Sequence, residues 1–157
     1  MILYHGSNIE IESIDLTLSR PNKDFGKGFY LSENLDQTMN MAEFKVELLG
    51  GTPVINKFLF DETEMNRNSL NCLRFPGYTK EWAEFVFNNR FKVKFHHDYD
   101  VVIGPMANDK VGAQIRRYAE GDITFEIFLE RLKYMKGVTF QYFFGTERAL
   151  DLLNKVH

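Results

Sequence analysis

Three short segments of the chain carry residue types from which a binding or catalytic site can be built. The first is YHGS at 4–7, in which a histidine near the end of a predicted strand is followed by a glycine. The second is DFGKGFYLS at 24–32, where two glycines permit a tight turn or the close approach of a ligand before an aromatic pair enters a strand. The third is VTFQYFFGT at 138–146, an apolar strand in which alternation turns Gln141 away from Tyr142.

Each segment also has a structural interpretation. A histidine such as His5 can be a hydrogen-bonded strand residue, Tyr30 can belong to an aromatic core, and Gln141 can lie on an edge strand. Their occurrence together is what favours a functional site.

Missing motifs exclude several common sites. The chain contains no GxxxxGK[ST] and no GxGxxG after a strand, which excludes a P-loop and leaves a Rossmann cofactor site unsupported. The triplet Asp24-Phe25-Gly26 also occurs in protein kinases, but the chain has none of the other kinase motifs. His96 and His97 are adjacent and are supported by no HExxH or CxxC, and Cys72 has no activating neighbour. We therefore expect no metal site and no reactive thiol.

The composition is that of one globular domain. The chain has 157 residues, of which 44% are apolar and 15% aromatic, so a sizeable core can form. The net charge of -3 argues against a broad basic field for nucleic acid but leaves room for a local basic patch. One cysteine, no signal peptide and no long apolar stretch predict a soluble cytoplasmic protein that does not contact a membrane.

Hydrophobic spacing and capping residues predict the elements that must position these segments. We expect strands at 2–5, 28–31, 54–60, 99–104 and 138–144, and a loop at 61–77. Helices are predicted after the caps Asn34, Thr79, Asp109 and Thr146, and at 123–136. The resulting order, β, β, α, β, α, β, α, α, β, α, is that of an α+β fold.

Taken in order, the segments resemble the ADP-ribosyltransferase superfamily, and more narrowly its branch with a His–Tyr–Glu signature, to which diphtheria toxin and the poly(ADP-ribose) polymerases belong. The strings YHGS, DFGKGFYLS, YDVVIGPMAND and QYFFGTERAL are similar to those of an uncharacterised bacterial family in that superfamily. The resemblance extends from residue 3 to about residue 153. It implies a single domain over 1–157, with two packed, mostly antiparallel sheets and flanking helices around a cleft for NAD.

The resemblance also implies roles for the signature residues. His5 would hold the nicotinamide-side ribose, the Gly6 backbone would pair with the nicotinamide amide, and the Tyr30 ring would stack on the cationic nicotinamide. The chain departs from the family where many relatives have a strand glutamate. Gln141 stands there and can bond the ribose 2′-hydroxyl without acting as a base, and Glu147 is the reserve.

Other contacts are implied near these residues. Arg20 is either a pyrophosphate ligand or an exposed loop arginine. Ser32 either caps the following helix or bonds the nicotinamide amide. The remaining cofactor contacts implied by the resemblance are Ser7, Gly28 and Phe29.

The expected activity is the transfer of one ADP-ribose from NAD to an unknown protein or nucleic-acid acceptor, because a glutamine at the strand position disfavours chain elongation. Two alternatives stay open, an NAD glycohydrolase and an inactive module that binds NAD or ADP-ribose. Family analogy further suggests the toxin of a bacterial toxin–antitoxin or phage-defence system, with a cognate antitoxin as partner.

Overall fold

Seven strands form one mixed sheet in the computed structural model, which describes residues 1–67 and 69–157. The strands are β1 (Ile2–Ser7), β2 (Phe29–Ser32), β3 (Val54–Phe60), β4 (Cys72–Arg74), β5 (Val101–Pro105), β6 (Phe140–Phe144) and β7 (Leu153–Val156). They lie in the order β4-β5-β6-β2-β1-β3-β7. Neighbouring strands are antiparallel except β4 and β5, which are parallel.

Six α-helices are present among the described residues, with a short 3-10 helix at Leu16–Leu18. The helices are α1 (Leu35–Leu49), α2 (Thr63–Arg67), α3 (Lys80–Phe91), α4 (Asp109–Ala119), α5 (Phe125–Leu132) and α6 (Glu147–Leu150). The α+β class expected from the sequence is therefore confirmed. None of the helices in the described ranges is both long and apolar enough to cross a membrane.

The expectation of two packed sheets is wrong for the described residues, which form a single sheet. Its two halves meet at a narrow seam, because the register between β1 and β2 consists of the single pair Tyr4 and Ser32. By contrast, β1 pairs with β3 over six positions, from Ile2 to Ser7. The seam runs between the strands that carry the first two predicted segments.

Each face of the sheet is covered by its own apolar core. One core contains Leu3, Phe58, Tyr142 and Phe144, and the other contains Phe25, Trp82, Val102 and Phe143. Alternate residues of β6 therefore enter opposite cores, as the spacing in 138–144 predicts. Gln141 shares a face with Phe143.

The capping residues explain where the helices begin. The side chain of Asn34 accepts the Gln37 N–H at 2.9 Å, and α1 ends at Gly50 with φ 81°. The prediction for α4 is off by one residue. Asn108, not Asp109, is the cap, and its side chain accepts the Val111 N–H at 2.9 Å.

Two predictions near the sheet edges are wrong. The sequence predicts a loop at 61–77, but this segment contains α2 and β4, and the strand β7 falls in a stretch where a helix is expected. Both strands lie at an edge of the sheet and are short, at three and four residues. Periodicity is weak over so few residues, and their state is decided by the neighbouring strand to which they bond.

Candidate functional site

The three signature residues lie on three consecutive strands in the middle of the sheet. His5 is on β1, Tyr30 on β2 and Gln141 on β6, and these strands are neighbours. Tyr30 pairs with Phe143, and Ser32 pairs with Gln141. The side chains of Tyr30 and Gln141 are therefore diagonal neighbours on one face of the sheet.

His5 fills the seam between β1 and β2. Its Nδ1 donates to the Tyr30 carbonyl at 2.7 Å, and its ring stacks on Phe29 with centroids 4.3 Å apart. Burial, and secondarily the nearby Lys45 ammonium, lower the pKa of His5 to about 3. The imidazole is therefore neutral at physiological pH, and its Nε2 is an acceptor that lies 3.3 Å from Lys45 Nζ. A ribose hydroxyl is a donor of the kind that this nitrogen can accept.

Tyr30 is held rigidly by its hydroxyl. The hydroxyl donates to the Gly26 carbonyl and accepts the Phe25 N–H at 3.0 Å. Burial raises its pKa well above the ordinary value. The ring meets Phe143 edge-on at 5.3 Å, and Lys23 Nζ lies over the ring, 5.1 Å from its centroid. A cationic ligand ring can stack on this face only in place of the Lys23 ammonium, because two positive charges on one face repel each other.

Gln141 is buried in a polar cluster on Asp24. Its Nε2 donates to Asp24 Oδ2 at 2.8 Å, and that carboxylate also accepts the Ala107 N–H at 2.9 Å and pairs with Arg90 at 2.6 Å. Because a carboxylate only accepts, the orientation of the Gln141 amide is set and its carbonyl oxygen is turned away from Asp24. No fully buried polar side-chain atom of the described residues lacks a partner, so this carbonyl oxygen, which has none, keeps some accessible surface although the residue is only 5% exposed.

Three cations, Lys45, Lys23 and Arg20, lie close enough to one another to interact electrostatically. Lys45 lies next to His5 Nε2, and both Lys23 and Arg20 act electrostatically on Lys45. Burial, followed by these two cations, lowers the pKa of Lys45 to about 8. None of the three takes part in a salt bridge within the part of the chain that the structure describes. Such a cluster favours an anionic ligand.

The glycines of the first two segments have packing roles. A Cβ at Gly6 would lie 2.2 Å from the Thr38 carbonyl oxygen, because α1 rests directly on this residue. A Cβ at Gly28 would lie 2.2 Å from the Phe143 ring. The absence of a side chain at both positions is therefore required by the fold itself.

The implied contacts at Ser7, Phe29 and Ser32 are buried. Phe29 supports the His5 ring from the core side. The hydroxyl of Ser32 accepts the Asn34 N–H at 3.0 Å, which braces the start of α1, and Ser7 accepts the Ile9 N–H at 3.4 Å. Their roles toward a cofactor stay predictions.

Two residues for which the resemblance implies a role lie further from the three signature residues. Arg20 is exposed, and the structure connects it to the site through its charge on Lys23 and Lys45. Glu147 is exposed in the first turn of α6, beyond the opposite end of β6 from Gln141. The structure thus brings Gln141, rather than Glu147, next to the strand of Tyr30.

Sequence reasoning missed Asp24, Lys23 and Lys45. Asp24 stands in the DFGKGFYLS run, and a lone acid in a glycine-rich segment was a signal that could have found it. Lys45 gave no signal, because it is one of several charged residues on α1. Its place beside His5 depends on how that helix lies on β1.

A cavity of about 570 Å³ adjoins the site. Gly26 and Phe143 belong to its lining, whereas His5, Tyr30 and Gln141 do not. Tyr30 is linked to it through the hydroxyl bond to the Gly26 carbonyl. Within the described residues, no group of three His, Cys, Asp or Glu side chains could hold a metal ion.

Fold and site together define an α+β domain whose mixed seven-stranded sheet carries a histidine, a tyrosine and a glutamine on three central strands. A family model described as Protein of unknown function (DUF3990) matches residues 1–154, and the chain belongs to that family. No curated protein and no solved structure matches the chain.

Proposed function

We propose that the protein transfers a single ADP-ribosyl group from NAD. NAD carries a cationic nicotinamide ring and an anionic pyrophosphate. The observation that carries the proposal is that the site offers a partner for each: the Tyr30 face, where a cationic ring can take the place of the Lys23 ammonium, and Lys45 beside His5, with the exposed Arg20 further out.

The chemistry follows from the groups on the three strands. Loss of nicotinamide leaves an oxocarbenium-like ribose, whose positive charge is stabilised by nearby partial negative charge. The Gln141 carbonyl oxygen can accept from the ribose 2′-hydroxyl, and the Asp24 carboxylate fixes its direction. The neutral His5 Nε2 can accept from a second ribose hydroxyl once Lys45 turns toward the pyrophosphate. Because the register gives the face of Gln141 to Tyr4 rather than to His5, the ribose must reach both groups through the seam between β1 and β2. Neither Gln141 nor the neutral His5 is a strong base, so the acceptor supplies its own nucleophile.

Nicotinamide release from NAD tests the proposal. His5→Ala and Tyr30→Ala should each lower the rate at least about a hundredfold, the loss expected when ligand positioning fails. His157→Ala and Tyr134→Ala are matched controls, since both side chains are exposed and lie outside the site, and they should keep the wild-type rate. Full activity in folded His5 and Tyr30 variants would show that the site is wrong.

A second candidate is an inactive module that binds NAD or ADP-ribose. The observation in its favour is Gln141, an amide tied into the buried Asp24 cluster, where many members of the superfamily that the sequence resembles have a glutamate. Calorimetry separates the candidates, because a module binds ADP-ribose without releasing nicotinamide from NAD. Hydrolysis, the enzymatic alternative, would yield free ADP-ribose and no modified acceptor.

A protein partner that neutralises the activity remains part of the proposal. Helix α1 packs on β1 and places Lys45 next to His5. The helix also exposes large apolar side chains, namely Leu35, Met39, Met41, Phe44, Leu48 and Leu49. A partner protein bound to this apolar face of α1 would also cover Lys45. Co-expression with the neighbouring gene product should then yield a complex in which nicotinamide release is suppressed. Full activity in the complex would count against a neutralising role.

A further inference from the structure

The cavity next to Tyr30 has an aromatic wall and a polar floor. Phe95 and Tyr99 are half-buried in its lining and pack around His97, at ring distances of 6.5 and 5.5 Å. Both ring nitrogens of His97 are already hydrogen-bonded, because Nε2 donates to the Phe25 carbonyl and Nδ1 accepts the Tyr99 N–H. The rings thus form a fixed surface on which a planar group can stack.

Asn89 supplies the polar floor. The residue is 8% exposed, and its amide nitrogen donates to the Phe85 carbonyl at 2.9 Å. Its carbonyl oxygen bonds to nothing among the described residues, yet no buried polar atom there is unsatisfied, so this oxygen opens into the cavity. Gly26, with φ +90°, leaves room for it, because a Cβ there would lie 2.9 Å from Asn89 Oδ1. A hydrogen-bond acceptor at the base of an aromatic pocket suits a ligand that has a planar ring with an N–H group on its edge.

The surroundings of the cavity are basic although the chain is acidic. The charged residues of its lining are Lys27, Lys92 and Asp98, a formal charge of +1 against -3 for the whole chain. Further cations, namely Arg20, Lys23 and Lys94, are exposed in the segments 16–30 and 89–99 that contribute most of the lining. Of the two acids in these segments, Asp24 is buried against Arg90 and Asp98 contacts His96.

We propose that this cavity takes a base of a single-stranded nucleic acid, with the strand backbone on the lysines. Aromatic stacking within a cationic groove is how single strands are bound without a duplex. That the bound strand is the acceptor of ADP-ribose rests on the proposed function. In that step the ribose–nicotinamide bond breaks with its electron pair leaving on neutral nicotinamide. A nitrogen or hydroxyl oxygen of the strand forms the new bond and releases its proton to water.

Binding to fluorescent single strands about 12 nucleotides long tests the cavity without NAD. Wild-type protein should bind RNA or DNA of mixed sequence with an affinity that falls as salt rises. An abasic strand of equal length and charge should bind at least about fivefold more weakly, because the pocket then has no base to stack. Equal affinity for the two strands, or no binding at low salt, would overturn the proposal.

Two pairs of variants separate this surface from general charge effects. The double variant K27E/K92E should weaken binding about tenfold or more. The control K110E/K136E changes the net charge equally at exposed lysines outside the cavity lining and should weaken it less than about threefold. Phe95→Ala should remove most of the preference over the abasic strand, whereas Phe44→Ala on α1 should not. Equal losses in the lysine pairs would contradict the proposal.

A separate experiment tests whether the bound strand is the acceptor of ADP-ribose. With NAD present, mass spectrometry should find one ADP-ribosyl group on the bound strand. Modification of proteins in a lysate with none on the strand would overturn the acceptor assignment and identify a protein acceptor instead. If no nicotinamide is released while the base-dependent binding persists, the proposed function fails and the nucleic-acid site stands.

Discussion

At the scale of single residues, the unusual protonation of the site is its main feature. A neutral His5 and a Lys45 of lowered pKa lie 3.3 Å apart, and burial is the largest cause of both shifts. Such groups respond to pH in ranges where exposed histidines and lysines do not.

Lys45 should make anion binding sensitive to mild alkali. Its pKa of about 8 means that its charge is lost as pH rises through that value, so affinity for ADP-ribose should fall about threefold to tenfold between about pH 7 and pH 9. Lys45→Arg keeps the cation throughout and should flatten the dependence, which calorimetry across that range measures. An unchanged slope in the arginine variant would show that Lys45 does not contact the ligand.

His5 should make the fold sensitive to acid. Its folded-state pKa of about 3 lies below the ordinary 6.5, so the unfolded chain binds the proton first and stability is lost as pH falls from about 6.5 toward 3. His5→Gln should reduce this slope of unfolding free energy against pH, measured by urea denaturation. His96→Gln, at an exposed histidine, should leave it unchanged.

At the scale of elements, the approach of α1 to β1 places Lys45 beside His5. The contact is possible because Gly6 has no side chain and the helix backbone rests on it. The helix itself is specified locally by its Asn34 cap and its Gly50 end.

Gly6→Ala should therefore disrupt the site through the fold. The added methyl group would lie 2.2 Å from the Thr38 carbonyl oxygen, and overpacking against backbone should cost about 3 kcal/mol of unfolding free energy or more. Gly112→Ala is the matched control inside α4, where the nearest atom is 3.6 Å away. It should stabilise the protein by up to about 1 kcal/mol, because alanine is the better helix former. Equal denaturation midpoints for the two variants would contradict this reading of the packing.

At the scale of the whole molecule, Asp24 joins parts that are far apart in the chain. It bonds to Arg90 on α3, to Ala107 after β5 and to Gln141 on β6. These contacts tie the glycine-rich segment, which carries Tyr30, to the helical side of the sheet.

Asp24→Ala should thus destabilise the fold and weaken the site together. Removing the buried carboxylate leaves Arg90 unpaired and frees Gln141 to rotate, at a cost of about 3 kcal/mol or more. Asp122→Ala, at an exposed aspartate, should change the unfolding free energy by less than about 0.5 kcal/mol. Chemical denaturation measures both, and a stable Asp24→Ala variant would show that the cluster does not hold these elements together.

Elements whose signals are local could be predicted from the amino-acid sequence alone. The caps of α1 and α3, the Gly50 end and the alternation of 138–144 specify structure over a few residues, and these predictions are confirmed. The same patterns identified the strands on which the candidate site lies. Their roles in catalysis stay predictions.

The order of these strands and the charges that meet between them depend on contacts between segments far apart in the chain. The single sheet, its one-pair seam and the short strands β4 and β7 depend on pairing between distant segments. The same holds for Lys45 beside His5 and for Asp24 against Gln141, which are separated by 40 and 117 residues. Spacing along the chain carries no information about such contacts, because they arise when α1 and the glycine-rich segment pack onto the sheet.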